Sequence, residues 1–231
     1  MKPAQPLLYY ITDRRALASA DVIRTILAAV EAGVDLIQIR EKDLGTRDLL
    51  RLVEAAVQGV REQAARTTAS TQGLTRVVVN DRLDVALAGE ARGVHLGGRS
   101  MQADAVRAAV PTQKGFWVGV SCHSPEDVAA AETAGADYAL LGPIFETASK
   151  LAYGPPLGAA VVERATRHAR IPVLALGGIT LERVRTCIEA GAAGIAGISI
   201  FQQCASLPGR VLELRRLLGQ AASPAADLGN A

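Results

Sequence analysis

The chain has 231 residues, 49% of them hydrophobic and only 3% aromatic, with a formal net charge of +2. That length suits one large α/β domain better than two small ones, and the apolar share is enough for a sizeable core. Acidic and basic residues are interspersed, with no basic stripe interleaved with aromatics to suit nucleic acid, and no apolar run approaches the roughly 18 residues of a membrane span.

Taken in chain order, short apolar or β-branched runs alternate with longer amphipathic, Ala-rich stretches. Met1–Leu8 shows no signal-peptide core ahead of the first run. The predicted strands are Leu8–Thr12, Leu36–Arg40, Arg76–Asn80, Gly93–Leu96, Trp117–Ser121, Tyr138–Leu141, Pro172–Leu176 and Gly194–Ile198. Most are apolar at both alternating positions, as strands covered on two faces must be. Predicted helices between them include Asp21–Ala32, Asp48–Arg66, Glu126–Ala134 and Leu181–Ala190. A short phrase recurs at the helix-to-strand joints: Ala32-Gly33-Val34-Asp35, Ala134-Gly135-Ala136-Asp137 and Ala190-Gly191-Ala192-Ala193. Its glycine falls where a left-handed helix cap is least costly. Eight such βα units imply closure into a single (βα)8 barrel of the TIM type, with a doubly wound open sheet as the alternative.

Thr67–Thr75, rich in Ser and Thr, reads as a surface insertion. Gly142–Gly158 reads as a long strand-to-helix loop of the kind that carries function. The expected barrel spans 1–219, with 220–231 as an unstructured Ala/Pro/Gly-rich tail. The cysteines, Cys122, Cys187 and Cys204, are odd in number and lack a CxxC spacing. That points to reduced thiols and a cytoplasmic protein.

In such barrels the carboxyl ends of the strands face the active site. The second strand ends in Gln38, Arg40 and Lys42, an amide and two cations suited to a phosphate or pyrophosphate. The third ends in Asn80-Asp81, which can hold Mg²⁺ through oxygen or simply cap the next helix. The fifth ends in Ser121-Cys122-His123-Ser124. His123 is a candidate acid/base, Ser124 a helix cap and Cys122 a packing residue. The long loop carries Thr147, Ser149 and Lys150, able to wrap a phosphate. Gly177-Gly178 after the seventh strand and Ile198-Ser199 after the eighth bring backbone N–H groups and a helix start together, a recurrent phosphate site in barrels.

From Leu8-Tyr9-Tyr10-Ile11-Thr12-Asp13 to about Phe201 the chain resembles the thiamine phosphate synthase and thiazole tautomerase family. The motifs are Gln38-Ile39-Arg40-Glu41-Lys42, Asn80-Asp81-Arg82, Gly93-Val94-His95-Leu96-Gly97, Gly119-Val120-Ser121, Gly142-Pro143-Ile144-Phe145, Gly177-Gly178-Ile179 and Ile198-Ser199. Each is weak alone; together, in this order and spacing, they are specific. The resemblance implies that Arg40, Lys42, Asn80, Thr147, Ser149 and Lys150 hold the pyrophosphate of a hydroxymethyl-pyrimidine diphosphate, with Gln38 and Ser121 near the pyrimidine and Asp81 on Mg²⁺. Gly177, Gly178, Ile198 and Ser199 would hold a hydroxyethyl-thiazole phosphate. The implied reaction expels pyrophosphate while the thiazole nitrogen attacks the carbon left behind, with Lys150 among the catalytic groups.

One position departs from the synthase pattern. Where the synthase has its second Mg²⁺ carboxylate this chain has Ser100, in Gly98-Arg99-Ser100, and Asp104 lies four residues further on. The metal site is therefore expected to be weakened. The tautomerase also lacks that acid, and it resembles this chain at Phe145-Glu146-Thr147 and around its acid/base histidine, the counterpart of His123. Lys42 and Asp81, which the tautomerase tends to lose, favour the synthase. A non-catalytic thiazole-phosphate-binding protein is a third reading. The partners expected are small phosphorylated molecules, with oligomeric state, a homo-oligomer included, left open.

Overall fold

A computed structural model describes residues 3–17, 21–66, 75–110, 115–147 and 155–222. Eight parallel strands close on themselves in sequence order. They are β1 (Leu7–Ile11), β2 (Leu36–Ile39), β3 (Arg76–Asn80), β4 (Gly93–Leu96), β5 (Trp117–Cys122), β6 (Tyr138–Leu141), β7 (Val173–Leu176) and β8 (Gly194–Gly197). The ring is sealed by β8 on β1, where Leu8 pairs with Ile195 and Tyr10 with Gly197. The open-sheet alternative is thereby removed. Around the barrel run α1 (Val22–Glu31), α2 (Thr46–Arg66), α3 (Leu83–Ala88), α4 (Ala103–Ala109), α5 (Pro125–Thr133), α6 (Ala159–His168) and α7 (Leu181–Glu189), then the short α8 (Ser199–Gln202) and α9 (Leu207–Ala222). No helix among the described residues is long and apolar enough to cross a membrane. Most of the expected Ser/Thr-rich insertion, at 67–74, and the end of the expected tail, at 223–231, lie outside the described residues.

The strands carry apolar residues on both faces because they face two cores. Outward positions such as Val77, Val79, Val94 and Val118 pack under the helices. Inward positions form a separate cluster that includes Tyr9, Leu36, Val78, Tyr138, Leu140, Leu174 and Ala196. Tyr9 on β1 and Tyr138 on β6 are not neighbours in the ring, yet their hydroxyls meet at 2.8 Å, which is attainable only through the barrel interior.

The recurring Ala-Gly phrase serves the opposite end from the mouth. Gly33, Gly135 and Gly191 take φ of 82°, 86° and 91°, which ends each helix in the left-handed region. The aspartate that follows in two of the three accepts from the preceding strand: Leu8 N–H donates to Asp35 at 2.6 Å and Val118 N–H to Asp137 at 2.7 Å. Each is paired with an arginine. Arg215 of α9 reaches Asp35 at 2.8 Å and also bonds the carbonyls of Pro6 and Gly33, and Arg107 of α4 pairs with Asp137. In the third phrase Ala193 replaces the acid, and its amide donates to Val173 O at 2.8 Å.

Candidate active site at the barrel mouth

At the carboxyl end of the barrel the strand termini are laced together from β2 to β7. Gln38, 1% exposed, points inward and its amide donates to Asn80 Oδ1 at 3.2 Å. Asn80 Nδ2 in turn donates to Asp81 Oδ2 at 2.8 Å. Ser100 Oγ donates to the other oxygen of Asp81 and accepts from the Gly97 amide at 2.7 Å. A serine hydroxyl therefore touches Asp81 at the position where the resemblance leads one to expect a second acid. Asp81 sits at φ 61°, an unusual conformation for a side-chain-bearing residue, and Arg82 rather than Asp81 is the N-cap of α3. The capping alternative for Asp81 is thus excluded. Asp104 stands exposed in the first turn of α4, its carboxylate accepting the Ala105 amide.

β2 ends at Ile39, so alternation carries the inward face only as far as Arg40. Arg40 is half-buried, its amide donating to Thr12 Oγ1 at 3.0 Å. Its guanidinium has no ion pair or side-chain hydrogen bond among the described residues. Lys42 lies exposed in the turn that follows. Between them Glu41, 4% exposed, folds back to accept the Arg14 amide at 3.1 and 3.2 Å, tying β2 to the 3-10 turn after β1. This structural carboxylate is hidden in the sequence by its charged neighbours.

β5 delivers Ser121 to the mouth and Cys122 to the outer core. Burial pushes the Cys122 thiol up to about 12, which makes it an inert packing group. Ser124 caps α5 by accepting the Asp127 amide at 3.0 Å, as expected. His123 is exposed; its amide donates to Asp127 at 2.7 Å and its Nδ1 to the carbonyl of Gly142, so the ring bridges β5 to the loop after β6. That loop is bonded to β7, Ile144 N–H donating to Leu176 O at 2.8 Å and Phe145 N–H to Gly177 O at 3.1 Å. Thr147 is half-buried at the end of the described stretch, whereas Ser149 and Lys150 lie outside the described residues.

Gly177 and Gly178 follow β7 with φ of 95° and 63°, pressed against this loop. A Cβ on Gly178 would stand 2.5 Å from Glu146 O, and one on Gly177 2.8 Å from Pro143 Cα. Arg183 holds the turn from outside, donating to Gly178 O at 2.8 Å with its guanidinium 4.8 Å from the Phe145 ring centre. Ile198 is the N-cap of α8 and Ser199 its first residue, half-buried and exposed respectively. The first-turn amides of any helix lack an intrahelical acceptor.

The sequence pattern gave no role to a buried row beneath this mouth. His95, 2% exposed, points inward from β4. Its Nε2 lies 2.9 Å from Ser121 Oγ and its Nδ1 3.3 Å from the Tyr138 hydroxyl, while its ring stacks on Tyr138 at 5.8 Å. Burial pushes its pKa down to about 3. The signal was present, since alternation places His95 on the inward face of β4 together with Gly93, with Gly97 following just past the strand. Among the described residues no three or more His, Cys, Asp or Glu gather as a metal cluster.

Comparison with known proteins places this geometry. The sequence profile of the thiamine monophosphate synthase family matches residues 8–201. A Geobacter sulfurreducens protein assigned as a thiamine-phosphate synthase is 42% identical over 192 residues, covering 83% of this chain and 84% of its own length. The thiamine-phosphate synthase of Chlorobium phaeobacteroides is 35% identical over 218 residues, 94% of this chain and 98% of that one. Among solved structures, thiamine phosphate pyrophosphorylase from Pyrococcus furiosus superposes with a TM-score of 0.80 at 30% identity, covering 94% of this chain and 97% of that one. The chain belongs to the thiamine monophosphate synthase family and is an enzyme of thiamine biosynthesis.

Proposed function

We propose that the chain joins hydroxymethyl-pyrimidine diphosphate to hydroxyethyl-thiazole phosphate and releases pyrophosphate. The observation that carries this is Arg40, a half-buried cation at the mouth with no ion pair or side-chain hydrogen bond among the described residues. A partly desolvated guanidinium without an acid is costly, and a bound anion offsets that cost. In this reading Arg40, Lys42, Asn80, Thr147, Ser149 and Lys150 take the diphosphate, while Gln38 and Ser121 flank the pyrimidine. The glycine turn Gly177-Gly178 and the start of α8 at Ile198-Ser199 take the thiazole phosphate through backbone amides.

The bond from the pyrimidine's exocyclic carbon to the diphosphate oxygen breaks and the bond to the thiazole nitrogen forms. The nitrogen attacks through its lone pair, so no side chain serves as nucleophile. The protein supplies cations for the departing charge and alignment of two bound substrates. Lys150 is assigned to the leaving group. His123 is assigned to holding the loop through the Gly142 carbonyl rather than to acid/base work on the thiazole, the role a tautomerase would need. The names of the matched relatives support the synthase over the tautomerase and the non-catalytic readings.

Mg²⁺ suits the donors beside Asp81: one carboxylate with lone pairs to spare after accepting from Asn80 and Ser100, and the neutral oxygen of the Ser100 hydroxyl. With a single acid, the ion would be held mainly by the substrate diphosphate. When bound it withdraws charge from the leaving group.

The test is substitution of the cations. Arg40→Ala and Lys42→Ala are each expected to lower turnover of the pyrimidine diphosphate by about 10²-fold, with the affinity for thiazole phosphate unchanged. An equal loss of thiazole-phosphate affinity in both variants would show that these cations serve the other phosphate.

A further inference from the structure

Below the mouth, four side chains from four strands form one file: Tyr9, Tyr138 and His95, all buried, and Ser121, half-buried at its upper end. The links are Tyr9 OH to Tyr138 OH at 2.8 Å, Tyr138 OH to His95 Nδ1 at 3.3 Å, and His95 Nε2 to Ser121 Oγ at 2.9 Å. The file exists because of a glycine. In the strand register His95 stands beside Gly119, and Gly119 beside Tyr138. A Cβ at Gly119 would lie 2.0 Å from Tyr138 Cζ. The missing side chain on β5 lets the Tyr138 ring cross that strand and reach the imidazole on β4.

Counting protons gives the file a direction. A neutral imidazole, the form that burial without a contacting carboxylate dictates, carries one N–H and one acceptor nitrogen. If the proton were on Nδ1, His95 would donate to Tyr138, Tyr138 to Tyr9, and the Tyr9 proton would have nowhere to go. Tyr9 is 0% exposed, and Tyr138 is the partner its hydroxyl has among the described residues. A buried hydroxyl proton without an acceptor is costly. With the proton on Nε2 every donor is used: Tyr9 donates to Tyr138, Tyr138 to Nδ1, and Nε2–H to Ser121 Oγ. Ser121 has then received a hydrogen bond from below, and its own proton is free for the mouth.

We propose that Tyr9, Tyr138 and His95 are positioning residues that commit the Ser121 hydroxyl to act as a hydrogen-bond donor, selecting a substrate that presents an acceptor there, such as the lone pair of a pyrimidine ring nitrogen. The choice of ligand rests on the function proposed above; the proton order rests on the barrel interior alone. An acceptor is favoured because it gives the Ser121 proton a partner, whereas a ligand presenting a donor would use the one lone pair left on Oγ and leave that proton unplaced.

Two measurements test it. In the ligand-free full-length chain labelled with ¹⁵N-histidine, the ring nitrogens of His95 are expected to show the proton on Nε2, with His123→Asn and His168→Asn variants used to assign the signals. A proton on Nδ1 would overturn the proposal. In kinetics, Tyr138→Phe is expected to raise the KM for the pyrimidine diphosphate about tenfold, leaving the KM for thiazole phosphate unmoved. In a Ser121→Ala background the same change is expected to add nothing. Equal effects of Tyr138→Phe in both backgrounds would show a merely structural tyrosine and overturn the proposal. A parent enzyme inert toward the pyrimidine diphosphate would instead overturn the functional reading and the substrate half of this inference, a failure the ligand-free tautomer measurement distinguishes.

Discussion

Ser100 sits against Asp81 with its hydroxyl donating to the carboxylate, so Ser100→Asp would set a second carboxylate beside the first. Like charges in contact disfavour both being ionised, and a divalent ion between them reverses the penalty. The variant is expected to melt below the parent in metal-free buffer at pH 8, to recover more than the parent on adding Mg²⁺, and to reach half-maximal rate at about tenfold lower Mg²⁺. Thermal melts and a Mg²⁺ titration of the rate check this; an unchanged titration would mean that the metal does not visit Asp81. His95 offers a second test. Its pKa falls from 6.5 to about 3 because burial disfavours the charged ring. Between those values the unfolded chain binds a proton that the folded chain refuses. The stability gained by keeping the ring neutral is therefore whole above pH 6.5 and lost as pH falls toward 3, at up to about 1.4 kcal/mol per pH unit. Denaturant unfolding from pH 7 to 5 is expected to show a steeper loss for the parent than for His95→Gln; parallel curves would mean that the ring is protonated inside the barrel.

At the scale of elements, the loop after β6 and the turn after β7 behave as one unit, because Gly177 and Gly178 leave no room for side chains against Pro143–Glu146. Gly178→Ala combines a left-handed φ of 63° with a Cβ 2.5 Å from Glu146 O. It is expected to cost about 2–3 kcal/mol of stability and to raise the KM for thiazole phosphate more than that for the pyrimidine diphosphate. Chemical denaturation and two-substrate kinetics separate these effects, and an equal rise in both KM values would argue against a thiazole-phosphate site at this turn. The strands themselves were legible in the sequence because two-sided burial writes an unbroken apolar run, as in Val77–Val79 or Tyr138–Leu141. Their ends were less so. Thr12, Arg40 and Ile198 continue the alternating pattern but fall one residue past β1, β2 and β8, where the chain leaves the ladder to form the mouth. What the pattern could not give was lateral registration: that Gly119 faces Tyr138, or that Ser100 reaches Asp81 across nineteen residues of chain, depends on which strands lie side by side. Glu41 was masked for a related reason, since charged residues on both sides make a buried acid look like a solvated turn.

For the whole molecule, a barrel closed by eight strands in sequence order brings to one rim the cations after β2, the acid after β3 and the glycine turn after β7. Two substrates held on that rim can react without a nucleophilic side chain, and that is the central claim. It is tested most directly by incubating the full-length chain with hydroxymethyl-pyrimidine diphosphate and hydroxyethyl-thiazole phosphate, with and without Mg²⁺, and following both products. Thiamine phosphate and pyrophosphate are expected in equal amounts, with strong dependence on Mg²⁺ and turnover that survives His123→Asn. Failure to form thiamine phosphate from both substrates with Mg²⁺, together with a proton transfer on carboxythiazole phosphate that ignores Mg²⁺ and disappears in His123→Asn, would contradict it.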